Sequence, residues 1–396
     1  MSDETKASAT VSDYLRWRGD LTFAQDGFNE VDNLLLCIIS YIKLENIPRL
    51  RSFDPKDAMP MGDVCRLLTE EDEQLGLSTL DYIPLMRQAA ETPRFREVSL
   101  FAFESLHDED RQMQFAAVSF LLPDGSVYAA YRGTDMTIVG WQEDFNMSFL
   151  SAVPAQVKAA EYAGAVARAC PRRALRIGGH SKGGNLAAWA AVHLDEKLQR
   201  QRLIAAYNND GPGFSRDLVD TPSYQAVADR LVTYIPASSI VGVLLEHAED
   251  YEVVDSTARS IMQHEPLSWC VEGPRFVHLG QRSQLGQLSD GVLREWIGSM
   301  SSREREQFSR AFFDILSRGG RTKTLEDLRS GGLAAGAALI REYAGADEEK
   351  KKIISEIFRR LAVDVKDELM KAAGAGVRRA GESILATGQA IADLRK

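Results

Sequence analysis

One glycine-rich run in the middle of the chain, Gly178-Gly179-His180-Ser181-Lys182-Gly183-Gly184-Asn185, restricts the fold more than any other feature. A short apolar stretch typical of a strand precedes it, and an alanine-rich stretch typical of a helix follows it. The run contains the pattern G-x-S-x-G at Gly179, Ser181 and Gly183. A serine on so sharp a turn needs small residues two positions away on either side. The run therefore predicts a strand–turn–helix element with a strained serine, a nucleophile elbow.

Strand and helix patterns alternate around this run. Two Val-, Phe- and Tyr-rich stretches joined by the turn Pro123-Asp124-Gly125-Ser126 indicate an antiparallel entry into a sheet. From there on, strands alternate with helices, which predicts an α/β fold with a mostly parallel central sheet. The predicted strands lie at 97–104, 112–122, 127–132, 175–178, 203–207, 231–235 and 251–254.

Length and composition favour one large domain with an appended region. The chain has 396 residues, of which 44% are hydrophobic and 26% charged, as in globular proteins. We expect a flexible tail over 1–10, an α/β domain over 11–288 and a helical C-terminal region over 289–396. That last region could form a lid, a separate subdomain or the interface of a homo-oligomer.

Charge and apolar patterning narrow the class of protein. The net charge of −10 argues against a nucleic-acid partner. Four dispersed cysteines without a C-x-x-C pair indicate a reducing compartment. The sequence has no apolar run long enough for a transmembrane helix and no signal peptide. We therefore expect a cytoplasmic protein, and the absence of metal or nucleotide motifs predicts no cofactor and no metal site.

A serine nucleophile needs a histidine base, and four of the six histidines are poorly placed for it. His107 precedes the serine, although in such folds the chain order is serine, acid, histidine. His180 is fixed beside Ser181, and His193 lies about 18 Å further along the predicted helix. His247 follows what reads as a helix end, which indicates a surface or capping histidine.

Two histidines remain as candidates for the base. His264 falls in a loop after the strand 251–254, where the carboxyl edge of the sheet brings catalytic groups together, and it is the preferred candidate. His278 lies in a stretch that alternates like a strand and comes second.

The acid should end an earlier strand. Asp210 follows the strand 203–207 directly, one helix and one strand after Ser181, and could hold the imidazole in the required tautomer. Asp255, after the strand 251–254, competes for this role.

Two positions could stabilise an oxyanion. The amide of Lys182 lies at the start of the elbow helix, where the helix dipole favours negative charge. Thr134 follows Gly133 at the end of the strand 127–132 and could supply an amide and a hydroxyl.

Several motifs together resemble the class 3, or fungal-type, lipases: Tyr131-Arg132-Gly133-Thr134, Trp141-x-x-Asp144 and the elbow itself. The chain looks closest to an uncharacterised bacterial family of lipase-like α/β-hydrolases. The similarity spans about residues 11–280 and includes Asp210-Gly211-Pro212-Gly213 and Gln263-His264. It implies an α/β-hydrolase fold, with Ser181 as nucleophile, His264 as base, and Thr134 and Lys182 at the oxyanion hole.

One departure from that family concerns the acid. Class 3 lipases usually take it from a segment after the following strand, which here reads Ser238-Ser239-Ile240-Val241 without a carboxylate. The acid is therefore assigned to Asp210, one strand earlier.

The resulting hypothesis is a serine ester hydrolase, lipase- or esterase-like, acting on a small-molecule or lipid ester through an acyl-enzyme intermediate. An acyltransferase with the same triad and a non-catalytic binding or scaffold protein on a hydrolase fold are the alternatives.

Overall fold

The structure is a computed structural model. It describes residues 8–68, 82–134, 138–247, 249–283, 286 and 296–318, together with 343, 345, 348, 350–355 and 359. The predicted helix stop at Gly319-Gly320 and most of the helical region predicted over 289–396 lie outside these residues.

A mixed sheet forms the centre of the described chain. Its nine strands are ordered β1-β2-β3-β4-β5-β6-β7-β8-β11, and a separate hairpin pairs β9 with β10. The strands are β1 Met59–Pro60, β2 Ser99–Asp108, β3 Met113–Leu121, β4 Val127–Tyr131, β5 Leu175–His180, β6 Leu203–Asn209, β7 Leu231–Pro236, β8 Tyr251–Val254, β9 Val271–Glu272, β10 Arg275–Phe276 and β11 His278–Leu279.

The pairing directions confirm the α/β class and the antiparallel entry. β3 and β4 pair antiparallel across the predicted turn, with Leu121 opposite Val127. From β4 to β8 every neighbouring pair is parallel. The carboxyl ends of these five strands therefore lie on one edge of the sheet, where side chains from distant parts of the sequence meet.

Helices connect and cover the strands. They are α1 Val11–Arg18, α2 Glu30–Ile39, α3 Met61–Leu67, α4 Ile83–Glu91, α5 Ile138–Asn146, α6 Pro154–Ala169, α7 Lys182–His193, α8 Glu196–Arg202, α9 Arg216–Val219, α10 Pro222–Gln225 and α11 Ser302–Arg318.

Two helices differ in their bounds from what the apolar periodicity predicts. The pattern predicts a helix over 29–44, but α2 ends at Ile39, where Ser40 caps it. It also predicts one helix over 183–198, where the structure has two, α7 and α8. The chain turns extended at Leu194, and the Asp195 carboxylate accepts the Lys197 amide to begin a new helix.

The packing of α2 explains its apolar sequence. Every residue from Val31 to Ile39 is buried, including Asp32 and Asn33. The helix packs within the largest apolar cluster, together with Tyr128 of β4 and Phe95. Because α2 is buried on all sides, its position in the core is fixed, and it can hold in place the residues that its ends contact.

A buried ion pair anchors the N-terminal segment to α2. The Asp32 carboxylate accepts Nε of Arg94 at 2.7 Å and the hydroxyl of Tyr14 at 2.8 Å. Nη2 of Arg94 donates to the other oxygen of the same carboxylate, and the remaining guanidinium protons go to the carbonyls of Leu21, Asp26 and Gly27. Because both charged side chains are fully buried, each needs the other's charge.

The chain divides into two compact units. The first comprises 1–108, 114–133 and 154–282, and it contains the parallel strands. At its start, the tail residue Ala9 accepts the Val271 amide at 2.8 Å. The second comprises 109–113, 134–153 and 283–396.

The second unit has an apolar cluster of its own, in which Phe308 of α11 packs against Phe145 of α5 with ring centroids 5.3 Å apart. The Ser301 and Glu304 side chains each accept the other's backbone amide, which confirms the predicted capping box before α11. Among the residues that the structure describes, no helix is long and apolar enough to cross a membrane.

We predict that Arg94→Met lowers the free energy of unfolding by about 3–5 kcal/mol, because it leaves the Asp32 charge buried and unpaired. Urea denaturation followed by tryptophan fluorescence measures this. The matched control is Arg66→Met, which removes the exposed pair with Asp63 and should cost about 0–1 kcal/mol. Equal effects of the two variants would contradict the prediction.

Candidate active site

The elbow has the strained geometry that its sequence predicts. β5 ends at His180, α7 begins at Lys182, and Ser181 between them has φ 59° and ψ −135°. A Cβ on Gly179 would lie 2.1 Å from the carbonyl oxygen of Gly183, and a Cβ on Gly183 would lie 2.2 Å from that of Tyr131. Both flanking glycines are therefore required by backbone contacts, and Ser181 projects from the carboxyl edge of the sheet.

Asp210 lies at the same edge, directly after β6. Its backbone has φ 55°, and its amide donates to the Tyr234 carbonyl of the neighbouring strand at 2.8 Å. The side chain is fully buried. Its carboxylate accepts hydrogen bonds from Ser239 Oγ at 2.7 Å and from the Gly242 amide at 3.1 Å. These two bonds orient the Asp210 carboxylate independently of its contact with a histidine.

The histidine that the carboxylate meets is His264. Nδ1 of His264 lies 2.6 Å from Oδ2 of Asp210, and the His264 side chain is 27% exposed to solvent. Because an ionised carboxylate only accepts, Nδ1 carries the proton and Nε2 is free to act as a base. Among the described residues, Ser181 and His264 share no hydrogen bond. Such bonds are often long in unliganded enzymes.

His180 connects His264 to the elbow. Its Nε2 lies 2.8 Å from the His264 carbonyl oxygen, and the two imidazole rings are 4.6 Å apart. Burial holds the pKa of His180 well below its usual range, and the nearby His264 lowers it further, so the ring is neutral. Since a carbonyl oxygen only accepts, Nε2 carries the proton and Nδ1 is an acceptor. This bond places the His264 backbone beside Ser181.

The acceptor nitrogen of His180 faces Tyr41, which follows α2. The Tyr41 hydroxyl lies 3.1 Å from His180 Nδ1 and 3.2 Å from the His180 carbonyl oxygen. Burial raises the pKa of Tyr41, so the phenol stays protonated and can donate. Tyr41 therefore holds His180 from the side opposite to His264. Nothing in the sequence around Tyr41 signals this role.

The strand end that precedes the predicted oxyanion residue packs against the elbow. A Cβ on Gly133 would lie 3.1 Å from the Ser181 Cβ. Arg132 is buried, and its guanidinium donates to the carbonyls of Ser40 and Ile42 at 2.8 and 2.9 Å. These carbonyls lie at and just beyond the C-terminus of α2, where the helix dipole favours a cation.

The two predicted oxyanion residues have separate surroundings. Lys182 begins α7, and its buried Nζ donates to the backbone carbonyl of Gln114 at 2.8 Å and to that residue's Oε1 at 3.0 Å. Thr134 belongs to the second unit, where its hydroxyl donates to the Asp144 carboxylate. This bond links the Tyr-Arg-Gly-Thr motif to the Trp-x-x-Asp motif.

The competing candidates have other contacts. The Asp255 carboxylate accepts the amide of Ser256. His278 lies between Glu30 and Glu252, with nitrogen–oxygen distances of 2.9 and 3.2 Å. The expectation that His247 lies on the surface is wrong, whereas its ring does bond the Gly242 carbonyl of the preceding helical turn, as a capping histidine would. Its side chain is 5% exposed and pairs with a buried carboxylate.

Ser239 and Gly242 contact the acid although sequence reasoning assigned them no role. The signal available for Ser239 was its place in the segment that supplies the acid in class 3 lipases. Its hydroxyl meets the Asp210 carboxylate there. Within the described residues, no group of three or more His, Cys, Asp or Glu side chains could hold a metal ion.

We predict that Gly183→Ala destabilises the fold by about 1–3 kcal/mol, because its methyl would overlap the Tyr131 carbonyl. Thermal unfolding by circular dichroism measures the change. Gly62→Ala is the matched control, since a Cβ on Gly62 would lie 3.9 Å from Nη1 of Arg66, an ordinary van der Waals distance. A Gly183→Ala protein as stable as this control would show that the contact is not restrictive.

Comparisons with known proteins identify the family to which the chain belongs. No curated protein matches the chain. Among solved structures, the native Rhizomucor miehei lipase propeptide complex is similar at 16% identity, covering 44% of this chain and 72% of that one, with a TM-score of 0.33. The family model described as Mbeg1-like matches residues 89–314, more than half of the chain, including the elbow, Asp210 and His264. The chain therefore belongs to the Mbeg1-like family.

Proposed function

We propose that this protein is a serine hydrolase that cleaves carboxylic esters of a small molecule or a lipid. The observation that carries the proposal is the 2.6 Å contact between Asp210 Oδ2 and His264 Nδ1, next to a serine held at φ 59°. An acid–imidazole pair beside a serine on a strained elbow is the arrangement that nucleophilic acyl transfer needs.

The chemistry follows from the protonation states. Ser181 Oγ attacks the ester carbonyl, and Nε2 of His264 takes the hydroxyl proton as the new C–O bond forms. The tetrahedral intermediate collapses, the ester C–O bond breaks, and the imidazolium returns the proton to the leaving alcohol. Water then attacks the acyl-enzyme by the same route in reverse, which releases the acid and restores Ser181.

Asp210 suits the role of the third member because it is buried and already hydrogen-bonded. Its carboxylate holds the Nδ1 proton of His264 and would stabilise the imidazolium that forms during the reaction. The bonds from Ser239 and Gly242 occupy two more of its lone pairs, one on each oxygen, and restrain the carboxylate from rotating away from His264.

The oxyanion would be bound by the amide of Lys182. Lys182 is the first residue of α7, where the helix dipole favours negative charge. Each such donor is worth about 3–4 kcal/mol in the transition state.

A second candidate function is non-catalytic binding on a hydrolase fold. The observation that favours it is that no hydrogen bond joins Ser181 to His264 in the described chain. An acyltransferase would share every residue of the proposed site and differ only in whether an alcohol replaces water.

Labelling with a fluorophosphonate probe decides between catalysis and binding. We expect the purified protein to be labelled and Ser181→Ala to remain unlabelled, because only an activated serine attacks the phosphorus. A folded wild-type protein that resists the probe would favour the binding function. Mass spectrometry of products from an ester panel, with and without added alcohols, then separates hydrolysis from acyl transfer.

We predict that Asp210→Asn lowers kcat by about 10⁴-fold, because the amide favours the wrong imidazole tautomer. Asp255→Asn is the matched control, since it removes the competing carboxylate, and it should retain wild-type turnover. Ester hydrolysis under saturating substrate measures both. Loss of activity in the Asp255 variant with retention in the Asp210 variant would reassign the acid.

A further inference from the structure

A second histidine–carboxylate pair lies behind Asp210, outside the proposed triad. Nδ1 of His247 lies 3.0 Å from Oε1 of Glu249, and the two side chains are 5% and 3% exposed. Glu249 also accepts the hydroxyls of Thr233 and Tyr224, each at 2.6 Å. The ring of Tyr251 lies 6.4 Å from that of His247.

The contacts of His247 determine its charge. Its Nε2 lies 2.8 Å from the carbonyl oxygen of Gly242 and its Nδ1 faces the carboxylate. A carbonyl and an ionised carboxylate only accept hydrogen bonds, so both ring nitrogens must donate. Burial alone would raise the pKa of Glu249, but the bond and charge of His247 and the two hydroxyls lower it to about 2. The pair is therefore an imidazolium and a carboxylate.

Gly242 connects the His247–Glu249 pair to Asp210, the acid of the proposed site. Its amide donates to Asp210 Oδ1 at 3.1 Å while its carbonyl accepts from His247. A Cβ on Gly242 would lie 2.3 Å from Asp210 Oδ1, so the backbone itself closes on the carboxylate. Gly242 is thus held between the imidazolium and Asp210.

We propose that His247 and Glu249 are positioning residues that hold Asp210 in register with His264 through Gly242, a role that rests on the proposed function. The His247 imidazolium donates to the Gly242 carbonyl and so holds it in place. Glu249 accepts from that imidazolium and is itself held by the hydroxyl of Thr233 in β7. Without the pair, the turn at 241–243 is no longer held by His247, and the Asp210 carboxylate loses the bond from the Gly242 amide that helps to orient it.

The first test is independent of catalysis. Nitrogen-15 NMR of the histidine side chains at neutral pH should show both nitrogens of His247 protonated, with the assignment made from the signal missing in His247→Gln. The His264 Nδ1 proton, bonded to Asp210, should give a downfield signal that shifts or broadens in His247→Gln and in Glu249→Gln. A singly protonated His247, or an unchanged His264 signal in both variants, would overturn the proposal.

The second test measures catalysis. His247→Gln and the near-isosteric Glu249→Gln should each lower kcat about 10²-fold with KM unchanged, since a small misplacement of a catalytic group costs this much. His193→Gln is the matched control, because it removes an exposed histidine at the end of α7. Folded His247 and Glu249 variants with kcat within twofold of wild type would show that the pair contributes only to packing, which would overturn the proposal.

The two tests separate failure of this inference from failure of the proposed function. If wild-type protein resists the fluorophosphonate probe, the hydrolase proposal fails, while the His264 signal still reports whether His247 and Glu249 orient Asp210.

Discussion

The close approach of two backbones at the elbow is the constraint on which the rest of the site depends. A methyl on Gly179 would overlap the carbonyl of Gly183, and a methyl on Gly183 would overlap the carbonyl of Tyr131 in β4. These contacts bend the chain sharply between β5 and α7 and force Ser181 into a positive φ. The cost of such strain, about 1–3 kcal/mol for one residue, is offset by the buried strand and helix on each side.

Groups around this turn are fixed by bonds to backbone as well as by bonds to each other. His180 holds the carbonyl of His264, and Tyr41 holds His180 from behind. Gly242 donates to Asp210 from the other side. A site built this way keeps its geometry because each side chain is restrained at a second point, which is the basis of preorganisation.

The carboxylate that we propose as the acid is contacted from two loops. Parallel strands end at a common edge, so a carboxylate after β6 can reach the same imidazole as one placed after β7. Here Asp210 follows β6, while Ser239, after β7, donates a hydroxyl to it. The loops after β6 and β7 therefore meet at the Asp210 carboxylate.

Features that depend on neighbouring residues can be predicted from the sequence. The glycine pattern around Ser181 and the alternation of strands and helices were enough to predict the elbow and the parallel sheet, because sterics and burial act within a few residues. Contacts between distant segments become visible in the folded chain alone: Asp210, and not Asp255, contacts His264, Tyr41 contacts His180, and His247 is buried against Glu249. Such contacts follow from strand order and loop path, which local patterns do not encode.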